Sequence, residues 1–173
     1  MDLESAINTA IEFETKVFES YRQAQSQATD PKGRRIFEVL CNEEQGHIDY
    51  LRHRLSEWKT EGKVTLEKLG TAIPSKQRIA EGVKRLGASM KAKASKGGSP
   101  VEIELLHKAL QAEQETSAFY LRMVSELPAE GRDLFARFLE IEQGHVAIVQ
   151  AEIDAVTGLG FWFDIQEFSL EAS

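Results

Sequence analysis

Apolar residues recur at intervals of three and four along four long stretches of this chain, and each stretch predicts an amphipathic helix. The first runs from about Asp2 to Ala28, with Ile7, Ala10, Ile11, Glu14, Phe18 and Tyr21 on its inward side. Asp30-Pro31 supplies a cap and a first-turn proline that open the second, which carries Phe37, Leu40, Glu44, His47, Leu51 and Leu55 on one face. Ser99-Pro100-Val101-Glu102 reads as a capping box with an early proline. The third helix follows it, with the stripe Ile103, Leu106, Leu110, Glu113, Ser117, Tyr120 and Val124. The fourth starts near Pro128, follows Phe135, Phe138, Glu142, His145, Val149 and Ile153, and ends at Gly158.

The pattern is written twice. Ala10 to Tyr21 lines up with Ala109 to Tyr120 at an offset of 99, and Gly33 to His47 lines up with Gly131 to His145 at an offset of 98. The one-residue change falls between helices, where a deletion costs little. Residues 2–58 and 99–157 are therefore two copies of a helix hairpin. The roughly forty residues between them are too many for a simple loop. Ile79, Val83, Leu86 and Met90 predict a short helix after Pro74, followed by a solvated turn over Lys91 to Lys96 and Gly97-Gly98. The tail, Gly160-Phe161-Trp162-Phe163-Asp164, is too aromatic to be free; it packs back on the bundle or covers a dimer contact. The expected architecture is a single all-α domain over residues 1–173: a four-helix bundle of two hairpins joined by a long crossover that contains a short helix.

Composition narrows the partners. A chain of 173 residues with 42% hydrophobic content can bury a core as one domain. Its net charge of −7 argues against nucleic acid and anionic membrane surfaces. No stretch reaches the roughly twenty apolar residues needed to span a bilayer, and the acidic start Met1-Asp2-Leu3-Glu4 lacks a signal-peptide pattern. Cys41, the single cysteine, excludes an internal disulfide and a Cys-x-x-Cys knuckle. A soluble, cytoplasmic chain is expected.

The chemistry lies on the inward faces. Glu14, Glu44, Glu113 and Glu142 stand where the flanking turns demand apolar side chains. Buried carboxylates without a cation are costly, and four together repel one another. Divalent metal ions cancel that charge, and two neutral imidazoles, His47 and His145, complete the shell. The i, i+3 spacing puts Glu44 with His47, and Glu142 with His145, on one helix face. Glu43 rivals Glu44, but the position matching it is Ile141, whereas Glu142 matches Glu44; Glu43 is expected at the surface or behind a ligand. Mixed oxygen and nitrogen donors suit a pair of iron ions or manganese, with zinc as another occupant. Tyr21 and Tyr120 follow Glu14 and Glu113 by two turns. They either bond a ligand carboxylate, present an oxidisable ring to the metals, or are bundle tyrosines with satisfied hydroxyls. His53 and His107 have no counterpart in the repeat and read as helix-side residues, and Cys41 reads as packing.

With Ala10-Ile11-Glu12-Phe13-Glu14, Tyr21, Phe37 and the twice-written Glu-Gln-Gly-His, the chain resembles the ferritin-like superfamily and, within it, the rubrerythrin-like branch. The resemblance implies a di-iron centre that reduces hydrogen peroxide or oxygen. Carried over, Glu14, Glu44, Glu113 and Glu142 are carboxylate ligands, and His47 and His145 imidazole ligands. Rubrerythrins proper carry a four-cysteine rubredoxin domain. This chain lacks those cysteines, so electrons are expected from a separate, rubredoxin-like donor, and a homodimer is expected. Rubrerythrins also place a further glutamate one turn after the third-helix ligand, where this chain has Thr116. Two other functions fit the same ligand order. One is ferrous-iron oxidation as in bacterioferritin, which differs by a haem-ligating methionine where Gln45 stands and by a short fifth helix in place of this irregular-looking tail. The other is a non-catalytic metal-binding module.

Overall fold

Two aspartates start the first hairpin. Asp2 accepts a hydrogen bond from the Ser5 amide (2.8 Å) and opens α1, Leu3–Gln27. Asp30 accepts from the Lys32 and Gly33 amides and opens α2, Pro31–Glu61. Both caps satisfy first-turn N–H groups that have no partner within the helix. In the computed structural model, which describes residues 1–90, 99–160 and 162–169, four further helices follow: α3 (Lys76–Met90), α4 (Pro100–Glu126), α5 (Ala129–Gly158) and α6 (Ile165–Ser169). α1 packs on α2, α4 on α5, and the two hairpins meet chiefly along α1 and α4. The expected all-α bundle of two hairpins is what the chain forms.

The core is split. One apolar cluster gathers Val17, Tyr21, Phe37, Leu40, Leu106, Val149 and Trp162. The other gathers Ile7, Ala10, Leu51, Tyr120, Phe135 and Phe138. In each helix the layer of Glu14, Glu44, Glu113 and Glu142 falls between the segments that supply the two clusters, so polar groups occupy the middle of the bundle with apolar packing above and below.

The face between α2 and α5 is crossed by residues 63–75, a strap without regular secondary structure. Gly62 ends α2 in the left-handed region at φ 69°, where a glycine carries no Cβ penalty. The strap's backbone polar groups are then taken up one after another. Arg54, only 2% exposed, donates to the Thr65 carbonyl, and Tyr50 donates to that of Glu67 at 2.9 Å. Arg137 donates twice to the Leu69 carbonyl (3.0 and 2.9 Å). Glu43 accepts from the Thr71 hydroxyl and the Ala72 amide. Val64, Leu69 and Ile73 turn inward and are buried. α3 then begins after Pro74, as its pattern predicts, with Ile79 buried.

Four expectations need correction. Ser99 makes no side-chain cap; Glu102 instead accepts from the Thr29 and Asp30 amides at 2.8 and 2.9 Å, because the first hairpin's turn offers it two donors at once. The inward stripes of α1 and α4 are turned slightly from those expected. Val17, Thr116 and Met123 are buried, and Phe18, Ser117 and Val124 only partly so. The left-handed residue after α5 is Gly160 (φ 75°) rather than Gly158, which remains helical. The tail does pack back, with Trp162 edge-on to Phe37 at 5.4 Å, but it is not irregular, since it ends in α6. The turn expected over Lys91 to Gly98, and Phe161, lie outside the described residues.

The two motif glycines sit in different surroundings. A Cβ on Gly46 would meet nothing within 4 Å, whereas one on Gly144 would lie 3.0 Å from the Pro74 carbonyl of the strap. Gly46→Ala is therefore expected to stabilise the protein by about 1 kcal/mol through helix propensity. Gly144→Ala is expected to fall below it because the strap backbone must move. Chemical denaturation of the two variants checks this; equal midpoints would show that the strap does not rest on α5.

Candidate metal centre

Each of the four bundle helices delivers one glutamate, and α2 and α5 deliver a histidine one turn further on. All six side chains are buried: the four glutamates and His145 are 0% exposed and His47 is 2% exposed. The structure thus brings every expected ligand into one layer. Ligand atoms of Glu14, Glu44, His47 and Glu142 lie within 4.8 Å of one another, and so do those of Glu44, Glu113, Glu142 and His145. The two groups share Glu44 and Glu142. Two cations placed there would each have a private glutamate and histidine, with two carboxylates in common.

The close approaches crowd carboxylate oxygens around the two imidazoles, and one of them, His47 Nδ1 to Glu14 Oε2, is a hydrogen bond. His145 Nδ1 lies 2.8 Å from Glu44 Oε1 and 3.4 Å from Glu113 Oε1; His47 Nδ1 lies 3.1 Å from Glu14, 3.3 Å from Glu44 and 3.4 Å from Glu142. Yet both oxygens of Glu44, both of Glu142, Glu113 Oε2 and His145 Nδ1 are buried without a hydrogen bond. Polar atoms so crowded and so poorly satisfied are rare in protein interiors. Oxygen and imidazole donors in this mixture suit iron, manganese or zinc, so the donor set fits a pair of such ions.

The private glutamates are held from outside, across the hairpin boundary. Tyr21 of α1 donates to Glu113 of α4, and Tyr120 of α4 donates to Glu14 of α1. Of the readings open for the tyrosines, a bond to a site carboxylate is the one present, and each reaches the copy of the repeat it does not belong to. Burial first, then the nearby carboxylates, raises both phenols well above their ordinary range, so both remain protonated donors.

Without a cation the layer balances its charge with protons. Burial, reinforced by neighbouring carboxylates, pushes the carboxyls of Glu44 and Glu142 up. Burial opposes charge on the imidazoles, but Glu44 and Glu14 raise His47 to about 10, and Glu113 and Glu142 raise His145 well above its usual value. Burial also acts against Glu14 and Glu113. It is outweighed at Glu14 by Glu44 and His47, and at Glu113 by His145, so both stay low and ionised. The protons favoured on Glu44, Glu142, His47 and His145 thus offset the charge of Glu14 and Glu113.

Residues 1–55 match the model of the family described as Rubrerythrin. Over this stretch the chain is similar to that family. The match spans α1 and most of α2, and so includes Glu14, Glu44 and His47; the second hairpin joins them through the internal repeat and the geometry. Comparisons with curated proteins and with solved structures find no match. Thr116 is fully buried and its hydroxyl donates back to the Ala112 carbonyl at 2.9 Å, so it offers the site no carboxylate. Glu43 stands behind the ligands, its Oε2 3.7 Å from His145 Nε2. His53 and His107 are exposed, and Cys41 is buried among packing residues.

Two outcomes are expected. Uptake of two divalent ions must displace protons from Glu44, Glu142, His47 and His145. Affinity for cobalt(II) should therefore rise with pH through the neutral range and fall on acidification, with acid released into a weakly buffered solution. Uptake without proton release would contradict the charge balance. The double variant Glu44→Ala/Glu142→Ala, which lacks both shared carboxylates, should fail to retain two ions per chain; two equivalents by elemental analysis would refute the ligand assignment.

Proposed function

We propose that this chain is a di-iron oxidoreductase that reduces hydrogen peroxide, or oxygen, with electrons from an external donor. The observation that supports it is the pair of overlapping ligand groups sharing Glu44 and Glu142. Glu14 and His47 would serve one iron, and Glu113 and His145 the other. A pair of ferrous ions supplies the two electrons that cleavage of the peroxide O–O bond consumes. The chain's own residues do the rest. The four glutamates offset the metal charge, and the apolar clusters on both sides keep bulk water from the layer. Tyr21 and Tyr120 fix the private carboxylates through their hydroxyl protons.

The donor in this reading is a separate protein of rubredoxin-like chemistry. We place the protein in the cytoplasm, as a homodimer. Among the described residues no helix is long and apolar enough to cross a membrane. Oxidation of ferrous iron for storage is the second reading, favoured by α6, which follows α5 where an irregular tail was expected. Gel filtration separates the two: a large closed shell supports storage, and a dimer supports the enzyme.

Anaerobically purified protein loaded with ferrous iron should be oxidised by stoichiometric peroxide and turn over when a reductant is supplied. The variant Tyr21→Phe/Tyr120→Phe should keep its iron and lose about tenfold in rate, the lower end of the effect seen when groups behind metal ligands are removed. Iron-loaded protein that consumes no peroxide with any reductant would leave a metal-binding module and sink the oxidoreductase reading.

A further inference from the structure

The ligand set obeys the repeat, but its surroundings do not. His145 Nε2 faces Glu43 Oε2 at 3.7 Å, and the Glu43 carboxylate is tied down by the Thr71 hydroxyl and by the Ala72 amide at 3.0 Å. Thr71 is itself braced, its hydroxyl oxygen accepting from the Ile73 amide at 3.0 Å. A chain of contacts thus runs from the strap through Glu43 to the outer nitrogen of His145. In the other copy Glu43 is replaced by Ile141, which is buried and apolar. His47 packs edge-on against Phe138 at 5.4 Å and meets its carboxylates through Nδ1, whereas His145 also reaches a carboxylate, Glu43, through Nε2; neither Nε2 makes a hydrogen bond. Glu43 lies within 4.8 Å of a ring nitrogen of each histidine, and its ion pair is with His145.

A carboxylate behind a metal-binding imidazole holds the proton on the outer nitrogen, fixes the ring and makes the inner nitrogen a stronger donor. From this asymmetry we infer that Glu43, anchored by the strap, is a positioning residue that makes the two halves of the centre unequal. The Glu113/His145 half takes its cation first and holds it more tightly; the Glu14/His47 half takes the second and releases it first. The inference rests on the metal-centre reading above, and its own content is the order of filling.

Cobalt(II) is the probe. Crystals of the full chain with one equivalent of cobalt, examined by anomalous diffraction, should show the ion in the Glu113/His145 half. Glu43→Ala should even out the two occupancies, since loss of a group behind a ligand costs about 10- to 100-fold in metal affinity. Thr71→Val, which removes one anchor from an exposed strap residue, should shift the balance in the same direction and serves if Glu43→Ala does not fold. Equal occupancy in the unaltered protein, first filling of the Glu14/His47 half, or a preference unchanged in the variants would overturn the inference while leaving the centre intact. Absence of cobalt from both halves would instead overturn the metal centre itself.

Discussion

Everything in this molecule answers to the burial of four carboxylates and two imidazoles at the centre of an apolar bundle. An ionised carboxylate taken out of water without a partner costs several kcal/mol, and four in contact repel as well. The arrangement is tolerable only if opposite charge, as protons or as metal, enters the same layer. That requirement sets the helix phases, because each helix must turn its glutamate to the axis. It also accounts for the division of the core into two clusters, with the charged layer between them. Along the α1–α4 contact each tyrosine reaches the glutamate of the other helix.

The strap adds a second kind of constraint. It is held by the buried side chains of Val64, Leu69 and Ile73 and by side chains that meet its carbonyls: Arg54 and Tyr50 from α2, Arg137 from α5. A long irregular segment can cross a bundle only if its backbone groups find partners, and here the helices supply them. Because it touches both hairpins, the strap closes the one face that helix packing leaves thin.

The bundle and its six-residue layer were legible because both are periodic and the period is repeated. A glutamate on an apolar stripe is an anomaly, and its recurrence at the same place in a second copy turns the anomaly into a pattern. Glu44 could be told from Glu43 only by that comparison. What lay beyond reach has no period. Residues 63–75 carry three buried apolar side chains at irregular spacing, so nothing marked them as a cover. Arg54 stands one position from Leu55, the residue expected inside, and its burial becomes sensible once the Thr65 carbonyl, eleven residues on, joins the carboxylates of Glu57 and Glu67 around it. Glu152 is buried because the Phe163 amide returns to it from the tail at 3.0 Å, a meeting no local pattern announces. At Ser99 the local signal was present and misled, since Glu102 found better donors in a distant turn.

The crossed Tyr–Glu pairs bear on how the chain comes together. Neither hairpin can satisfy its own buried tyrosine, because the acceptor lies some ninety or more residues away in the other. Local hairpin contacts form readily, whereas contacts so distant in sequence must await docking. Docking of the hairpins therefore joins two half-sites, each carrying a tyrosine and a glutamate that match those of its counterpart. Since the two halves carry the same residues in the same places, a hairpin waiting to dock presents a surface that a hairpin of another chain could equally well complete. Exchange of halves between molecules is the hazard built into such symmetry, and the strap, by tethering one hairpin to its own partner, is the feature that works against it.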